Sequence, residues 1–283
     1  MSQILIIANL NCDHILRLSR PLATGARIHY EEVGYRLGGG GANTGLGLVW
    51  GGHQVSLLSQ VGEDERGDWL LAEAQAQGLD CQHVHRHVGA TQPLQLLMEP
   101  CGERTILRPN RPRLLLPPKL DTSPFDALYV NLSAERLPQL MSQAMAEGAL
   151  LFAQLPKDLS RRPCHYLLTS QDDLAQQEVT DPWSAARMIA GNQLKALIVT
   201  RGADGATAYS AEGEQYCPAY PAEVVDSTGA GDCYAAGLIH GILSRQPLVE
   251  AMATAARWAA FAVGGDSSLP PESLKRFLAQ QKP

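Results

Sequence analysis

The chain has 283 residues, of which 45% are hydrophobic and 18% charged, a composition that excludes an intrinsically disordered protein. Its formal charge of -6 lacks the basic excess typical of nucleic-acid-binding proteins, so we expect no nucleic-acid partner. No apolar run approaches the length of a membrane-spanning helix, and we expect no membrane association. The six cysteines lack the close pairing of a zinc site or a disulfide framework, which favours a reducing, cytoplasmic location.

The amino-terminal part of the chain begins with α/β patterns and then becomes rich in strand-like segments. An apolar run at the start of the chain predicts a buried strand, Gln3–Ala8. A short helix, a strand and a second helix closed by Gly78 are predicted next, at Thr44–Trp50, Gln54–Gln60 and Arg66–Gln77. Two later segments, Gln92–Glu99 and Glu103–Leu107, flank a turn as the strands of a hairpin do. We therefore expect a β-rich insertion between about Cys81 and Arg113.

From Ala127 onward, strand-like and helix-like segments alternate. They are Ala127–Val130, Pro138–Glu147, Ala149–Ala153, Trp183–Ala190 and Ala196–Thr200. Such alternation is typical of parallel strands joined by crossover helices. A hairpin and three helices are predicted to follow, at Ala206–Tyr216, Gly231–Leu243, Pro247–Val263 and Pro271–Gln281. The sequence thus predicts an α/β fold with a mostly parallel sheet and a single domain over residues 1–283.

The most informative segment is a turn of small residues, Asp226-Ser227-Thr228-Gly229-Ala230-Gly231-Asp232. Val224 and Val225 before it predict the end of a strand, and a helix begins near Gly231. The backbone N–H groups of Gly229, Ala230 and Gly231 would then point out of a helix amino terminus, where aligned peptide dipoles favour an anion. Asp232 lies in the first turn of that helix, where its carboxylate can take a proton from an attacking hydroxyl.

A purely structural interpretation of this turn is also open. Small residues permit tight helix packing, and Asp226 and Asp232 could merely cap the turn and favour the helix dipole. Two further segments argue for more than packing. They are the run of four glycines that leads into Asn43 and the loop Val61–Gly67.

These segments together resemble the ribokinase-like (PfkB) family of carbohydrate kinases along nearly the whole chain. The resemblance rests on Asn11-Cys12-Asp13, Gly38-Gly39-Gly40-Gly41-Ala42-Asn43, Val61-Gly62-Glu63-Asp64, Gly102-Glu103-Arg104-Thr105 and, most specifically, Asp226 to Asp232. It implies a three-layer α/β/α fold with a small β-sheet lid built from residues about 14–37 and 91–113. It also implies an enzyme that transfers a phosphoryl group from MgATP to a hydroxyl of a small sugar.

The resemblance assigns roles to individual residues. Asp232 would be the catalytic base beside an anion hole at Gly229, Ala230 and Gly231. The sugar would be held by Asn11, Asp13, Gly38, Gly39 and Asn43, and the nucleotide by Thr200, Gly202, Gly205 and Thr228. Asp226 would be the ligand of a monovalent cation such as K⁺, and a homodimer would form through the lid.

The chain departs from the family pattern at three places. Where family members often carry Asn-x-x-Glu, this chain has Gln171 and Leu174. Asp172 or Asp173 could support Mg²⁺ through water, or both could simply favour the start of a helix. Near Ser133 no acidic residue is present to hold ribose. The loop at residues 264–268 is shorter in sequence than the ribokinase segment that helps bind a monovalent cation.

Two charged or titratable patterns are expected to be exposed rather than functional. On a strand, His83, His85 and His87 would share a face and could bind a metal, but a solvated face is the simpler interpretation. A set of arginines could place positive charge near a phosphate, yet such spacing is more typical of a solvated rim: Arg104, Arg108, Arg111 and Arg113.

Two alternatives to a sugar kinase stay open. A nucleoside kinase of the same family would stack aromatic side chains on a base. A non-catalytic sugar or nucleotide sensor would account for the missing Asn-x-x-Glu residues, although it leaves the retained base and anion hole without a purpose.

Overall fold

The computed structural model describes residues 1–265 and 269–281, and its centre is a nine-stranded sheet. In spatial order the strands are β13 (Gly213–Cys217), β12 (Ala206–Ser210), β11 (Ala196–Thr200), β10 (Tyr166–Ser170), β9 (Leu150–Gln154), β8 (Ala127–Val130), β1 (Gln3–Ile7), β4 (Gln54–Gly62) and β5 (Val84–His87). The seven strands from β11 to β5 are parallel, and β12 and β13 add an antiparallel hairpin at one edge.

Helices cover both faces of this sheet. They are α1 (Gly39–Trp50), α2 (Glu65–Ala76), α3 (Leu137–Ala146), α4 (Gln171–Gln176), α5 (Pro182–Ala190), α6 (Ala230–Leu243), α7 (Leu248–Val263) and α8 (Glu272–Ala279). Successive side chains of a strand point to opposite faces, so β1 contributes Ile4 and Ile6 to one core and Leu5 and Ile7 to the other. The layers of helix, sheet and helix confirm the predicted α/β/α architecture.

A second, smaller sheet has four strands. In spatial order they are β3 (Tyr30–Gly38), β2 (Asn11–Leu18), β6 (Leu94–Met98) and β7 (Arg104–Leu107). The β2 strand pairs antiparallel with β3 and parallel with β6, while β6 and β7 form the predicted hairpin. In the part of the chain that the structure describes, its own hydrophobic cluster has three buried residues, Ile15, Leu94 and Leu96, with the partly buried Met98 and Ile106 packed against them. The small sheet is therefore held largely by its connections to the large one.

Two local predictions were wrong, and one strand was missed. The α1 helix begins at Gly39, five residues before the predicted start, because the glycine run forms the first turn of the helix rather than a loop. Val224 and Val225 belong to no strand, and both side chains are exposed. The buried strand β10 was not predicted from the periodicity.

Among the described residues, no helix is both long and apolar enough to cross a membrane.

Candidate active site

The predicted site residues converge at the carboxyl ends of β1 and β8. Strand order reverses at this point, since β4 lies on one side of β1 and β8 on the other, and ligands of open α/β sheets bind at such switch points. Asn9 and Asn11 follow β1, and Asn131 follows β8. The amino termini of α1 and α6 point to the same place, so backbone N–H groups and polar side chains meet there.

Asp232 is oriented by two asparagines. Asn43 Nδ2 donates to Asp232 Oδ2 at 2.9 Å, and Asn131 Nδ2 lies 3.3 Å from Asp232 Oδ1. Burial raises the pKa of the Asp232 carboxyl, while the hydrogen bond from Asn43 lowers it. The result is a carboxylate with a defined orientation in a poorly solvated recess, which suits a general base. Sequence reasoning missed the role of Asn131 because only its place in the fold brings it to Asp232.

The glycines of α1 allow this helix to approach the site closely. Gly39 has φ +87°, a conformation that side chains disfavour, and the Gly41 N–H donates to Asn9 O at 3.0 Å. A Cβ on Gly40 would lie 2.6 Å from Asn131 Nδ2 and 3.3 Å from Asp232 Oδ1. The glycine run therefore makes room for the residues that orient Asp232.

The turn before α6 presents unpaired backbone donors. Gly229 has φ +74° and precedes the first helical residue. Within the described chain, the N–H groups of Gly229 and Gly231 have no hydrogen-bond acceptor, whereas Ala230 N–H donates to Ser227 O at 3.3 Å. A Cβ on Gly231 would meet open space. The turn can thus bind an anion through Gly229 and Gly231, with Ala230 partly engaged elsewhere.

The predicted sugar-binding residues lie where β2 and β3 meet. Asn11 is paired in register with Gly38, and a side chain on Gly38 would collide with the carboxylate of Asp13, which is only 5% exposed. Arg111 Nη1 donates to Asn11 Oδ1 at 2.6 Å, and Arg111 Nη2 donates to Gln92 O at 2.7 Å. Burial lowers the pKa of Arg111, and nearby Asp13 raises it. Arg111 is therefore part of the site, contrary to the prediction of a solvated rim.

Arg104 also departs from that prediction. Its guanidinium forms an ion pair with Asp226, and the two side chains are only 23% and 16% exposed. Asp226 Oδ1 accepts further hydrogen bonds from Thr228 N at 2.8 Å and Thr228 Oγ1 at 2.5 Å. These bonds lower the pKa of Asp226 against the opposing effect of burial, and Arg104 lowers it further. Asp226, which was expected to bind a monovalent cation, is thus paired with the side chain of Arg104.

A cleft of about 370 Å³ separates the small sheet from this turn. Its lining includes Asp13 and Arg36 from the small sheet, and Arg104, Asp226 and Thr228 around the ion pair. The cleft therefore brings Asp13, one of the predicted sugar-binding residues, into the same space as Asp226 and Thr228.

The residues predicted to hold the nucleotide lie farther along the same edge of the sheet. Thr200 ends β11 beside Ser170 of β10, and its hydroxyl donates to Thr169 O at 3.3 Å. Gly202 and Gly205 have φ +54° and +79° in the turn that follows. Thr200 is half-buried and Gly202 is exposed, whereas Gly205 is buried, and a Cβ on it would collide with the backbone carbonyl oxygen of Cys217.

The acidic residues of α4 have separate roles. Asp173 N–H donates to Ser170 Oγ at 3.0 Å, and Ser170 Oγ donates to Asp173 Oδ2 at 2.8 Å, so Asp173 helps to cap the helix. Asp172 is exposed, and Leu174 is buried in the core. No group of three or more His, Cys, Asp or Glu in the described chain could hold a metal by itself.

The segment Val61–Gly67 serves the fold. Asp64 caps α2 by accepting from Gly67 N at 2.9 Å, and it also accepts from Thr91 N at 2.9 Å and Thr91 Oγ1 at 2.7 Å. Gly62 N in turn donates to Thr91 Oγ1 at 2.9 Å. These bonds fix the chain just before it enters β6 of the small sheet. The loop at 264–268 lies partly outside the described residues.

Comparison with known proteins places the chain in a family. The family model "pfkB family carbohydrate kinase" matches residues 1–272, and the chain belongs to this family. It is 25% identical to the ribokinase of Schizosaccharomyces pombe, covering 95% of each protein. It is 28% identical to the aminoimidazole riboside kinase of Salmonella typhimurium, covering 86% of this chain and 88% of that one.

The fold is also similar to that of a solved ribokinase. The crystal structure of a ribokinase from Cryptococcus neoformans var. grubii in complex with ADP matches with a TM-score of 0.78 at 19% identity and covers 100% of both chains. The ribokinase-like fold and the carbohydrate kinase class predicted from the motifs are both confirmed.

Proposed function

We propose that the protein phosphorylates a hydroxyl of a small sugar at the expense of ATP, with Asp232 as general base. The observation that carries this proposal is the place of Asp232. Its carboxylate is oriented by hydrogen bonds from Asn43 and Asn131. In the sequence, Asp232 comes immediately after Gly229 and Gly231, whose backbone N–H groups are unpaired within the described chain. Base and anion site thus adjoin, as transfer of a phosphoryl group to a hydroxyl requires.

The chemistry needs little beyond positioning and charge. A sugar hydroxyl bound near Asp232 loses its proton to the carboxylate, whose raised pKa makes it a stronger base. The backbone N–H groups at the start of α6 then stabilise negative charge on the transferring phosphoryl group. Asn11, Asp13, Gly38, Gly39 and Asn43 would hold the sugar, in the arrangement that the family resemblance implies.

We assign nucleotide binding to Thr200, Gly202 and Gly205 after β11, and to Thr228 in the turn before α6, as the family resemblance implies. The ADP complex of the Cryptococcus ribokinase supports ATP as the donor. Asp172, exposed in the first turn of α4, is the residue that would support Mg²⁺ through water. The metal would neutralise phosphate charge, and few protein carboxylates are needed because Mg²⁺ keeps several waters.

The small sheet is proposed to act as a lid. It covers the cleft that contains Asp13, Asp226 and Thr228, so its closure would exclude water as a competing phosphoryl acceptor. We also propose a homodimer through this sheet, because its edge strand β3 exposes Tyr30 and Val33.

The six cysteines are all free, which suits the reducing cytoplasm that we propose as the location of the protein.

A nucleoside kinase is the second candidate. It is favoured by the likeness to the Salmonella aminoimidazole riboside kinase, whose name describes a riboside as its substrate. A panel of acceptors separates the two candidates, since a sugar kinase turns over the free pentose, hexose or sugar acid and a nucleoside kinase turns over the riboside.

The experiment measures ADP release from MgATP with pentoses, hexoses, keto-deoxy sugar acids and nucleosides. We expect one acceptor class to support turnover, and Asp232→Asn to lower kcat by about 10²–10⁴-fold, the usual contribution of a general base. Asp121→Asn, at an exposed aspartate remote from the site, is the matched control and should keep full activity. MgATP binding without turnover of any acceptor would refute the kinase proposal and favour a sensor.

A further inference from the structure

Asp226 is the residue at which the family resemblance implies a bound monovalent cation such as K⁺. Its Oδ1 accepts from three donors, namely Thr228 N, Thr228 Oγ1 and the guanidinium of Arg104. The single negative charge of the carboxylate is already paired with the positive charge of Arg104. A K⁺ ion at this carboxylate, which the family resemblance implies, does not fit the residues present.

Asp226 nevertheless needs a cation near it. Its hydrogen bonds to Thr228 shape the turn that leads into the unpaired N–H groups of Gly229 and Gly231. A bare carboxylate three residues before these donors would repel the phosphate that they bind, and partial burial weakens solvent screening of that repulsion. The residue that orders the turn therefore opposes its function unless the charge is neutralised.

We propose that Arg104 supplies the positive charge at Asp226 in place of a monovalent cation, which makes Arg104 a positioning residue for phosphoryl transfer. This inference rests on the proposed kinase function. Arg104 is the first residue of β7 and belongs to the small sheet, whereas Asp226 precedes α6 of the main domain. The neutralising charge consequently reaches the turn only when the small sheet lies against it, as it does in the structure.

This arrangement couples two events that a soluble cation would leave independent. Closure of the small sheet over a bound sugar would at the same time bring Arg104 to Asp226 and complete the charge balance of the anion site. Phosphate transfer to water, before the sugar is enclosed, would then be disfavoured both by geometry and by the uncompensated charge of Asp226.

The test compares wild type, Arg104→Met, Arg104→Lys and the double variant Arg104→Met/Asp226→Asn. Arg113→Met is the matched control, because Arg113 is exposed and forms none of the ion pairs found in the described chain. Rates with MgATP and the best acceptor are measured in K⁺, Na⁺ and tetramethylammonium salts at equal ionic strength. Rescue is tested by adding guanidinium well below denaturing concentrations.

We expect wild type and Arg113→Met to be equally active in all three salts. Arg104→Met should lose about tenfold or more in kcat, the size of one charge-assisted hydrogen bond, and should regain activity with guanidinium or K⁺. The double variant should respond to neither, because no negative charge then remains to be paired. Arg104→Lys should keep more activity than Arg104→Met, since it retains the charge.

Two results would overturn the inference. One is a wild-type enzyme that needs K⁺ for activity, and the other is an Arg104→Met variant that is fully active or unresponsive to both cations. The affinity for MgATP without acceptor, measured by calorimetry in the same salts, is a readout that does not need turnover. If no acceptor is phosphorylated, the proposed kinase function fails, while the cation response of MgATP affinity still decides the role of Arg104.

Discussion

At the scale of single residues, the candidate site depends on how one carboxylate is held. Asp232 was predicted to be the base from its position in the glycine-rich turn that starts at Asp226, and Asn43, at the end of the separate glycine run, was predicted to hold the sugar. The structure shows that Asn43 is only 4% exposed and donates to Asp232 Oδ2. Asn43 is therefore suited to orient the base, which is a role the motif alone did not indicate.

Substitution of Asn43 should change the pH dependence of the reaction. The hydrogen bond from Asn43 lowers the pKa of Asp232, so Asn43→Ala should raise that pKa further. A general base must be deprotonated, and activity is lost as the pH falls through its pKa. The acid limb of the profile of kcat/KM against pH should therefore move to higher pH, and kcat should fall about tenfold for the lost hydrogen bond.

Asn131→Ala provides the comparison for this prediction. Its contact with Asp232 is longer, at 3.3 Å, so the acid limb should move less than in Asn43→Ala. An acid limb that stays at the wild-type pH in Asn43→Ala would show that Asn43 does not tune the base.

At the scale of elements, α1 and α6 must pack closely to bring Asn43 to Asp232. A Cβ on Gly47 of α1 would lie 3.0 Å from Ala236 Cβ of α6, and one on Gly237 of α6 would lie 2.7 Å from Ala255 Cα of α7. Small residues at these positions therefore permit close helix packing, which is the structural interpretation that the sequence left open. The role of the glycines nearer the site in binding a ligand stays a prediction.

A pair of histidines lies at the far end of this helix contact. His53, just after α1, has its Nε2 3.0 Å from Nδ1 of His240 in α6, and the His240 ring packs against Trp258. Burial lowers the pKa of His53 to about 4, with a further contribution from His240 and the amino terminus against the opposing effect of Asp126. Burial also lowers the pKa of His240. Both rings are therefore neutral in the folded protein at neutral pH.

This pair should make folding stability fall in mild acid. Between pH 6.5 and 4 the unfolded chain binds a proton at His53 that the folded chain does not, so the free energy of unfolding decreases as the pH falls. His53 alone should contribute a loss of about 2 kcal/mol between pH 7 and pH 5. Urea denaturation at these two values measures it, and His53→Gln should lose less stability than wild type.

The exposed His85 is the matched control for this measurement. His85→Gln should lose as much stability between pH 7 and pH 5 as wild type does. Equal losses in wild type and His53→Gln would mean that His53 is not protonated on unfolding in this range.

At the scale of the whole molecule, the small sheet is the part with the least core of its own. Three buried residues form its hydrophobic cluster, while its edge strand β3 exposes Tyr30 at 60% and Val33 at 40%. Exposed apolar side chains on an unpaired strand edge favour association with another chain. The proposed homodimer would cover this edge.

The dimer is tested by sedimentation of a charged variant. Tyr30→Asp places a charge on the exposed edge strand β3 and should convert a wild-type dimer into a monomer at the same protein concentration. Val88→Asp is the control, since Val88 is 90% exposed and lies outside the small sheet. A monomeric wild-type protein, or a Tyr30→Asp variant that remains dimeric, would contradict association through this edge.

The sequence by itself determined the features that depend only on residues close together in the chain. Helix and strand periods defined an α/β chain, and the turn from Asp226 to Asp232 predicted a candidate anion site and base, because helix dipoles and glycine conformations are local properties. The hairpin of β6 and β7 and most helices followed from the same local patterns. The family motifs are local in the same sense, and the family that they predicted is confirmed by the family match over residues 1–272.

Only the tertiary structure decided which distant side chains meet. Asn43 and Asn131 reach Asp232 across 189 and 101 residues of chain, Arg104 reaches Asp226 across 122, and Arg111 reaches Asn11 across 100. The order of the parallel strands and the placement of the small sheet set these pairings, and neither is encoded in the spacing of any one segment. Arginines that resemble a solvated rim in the sequence consequently become parts of the site, because burial and charge pairing are properties of the assembled fold.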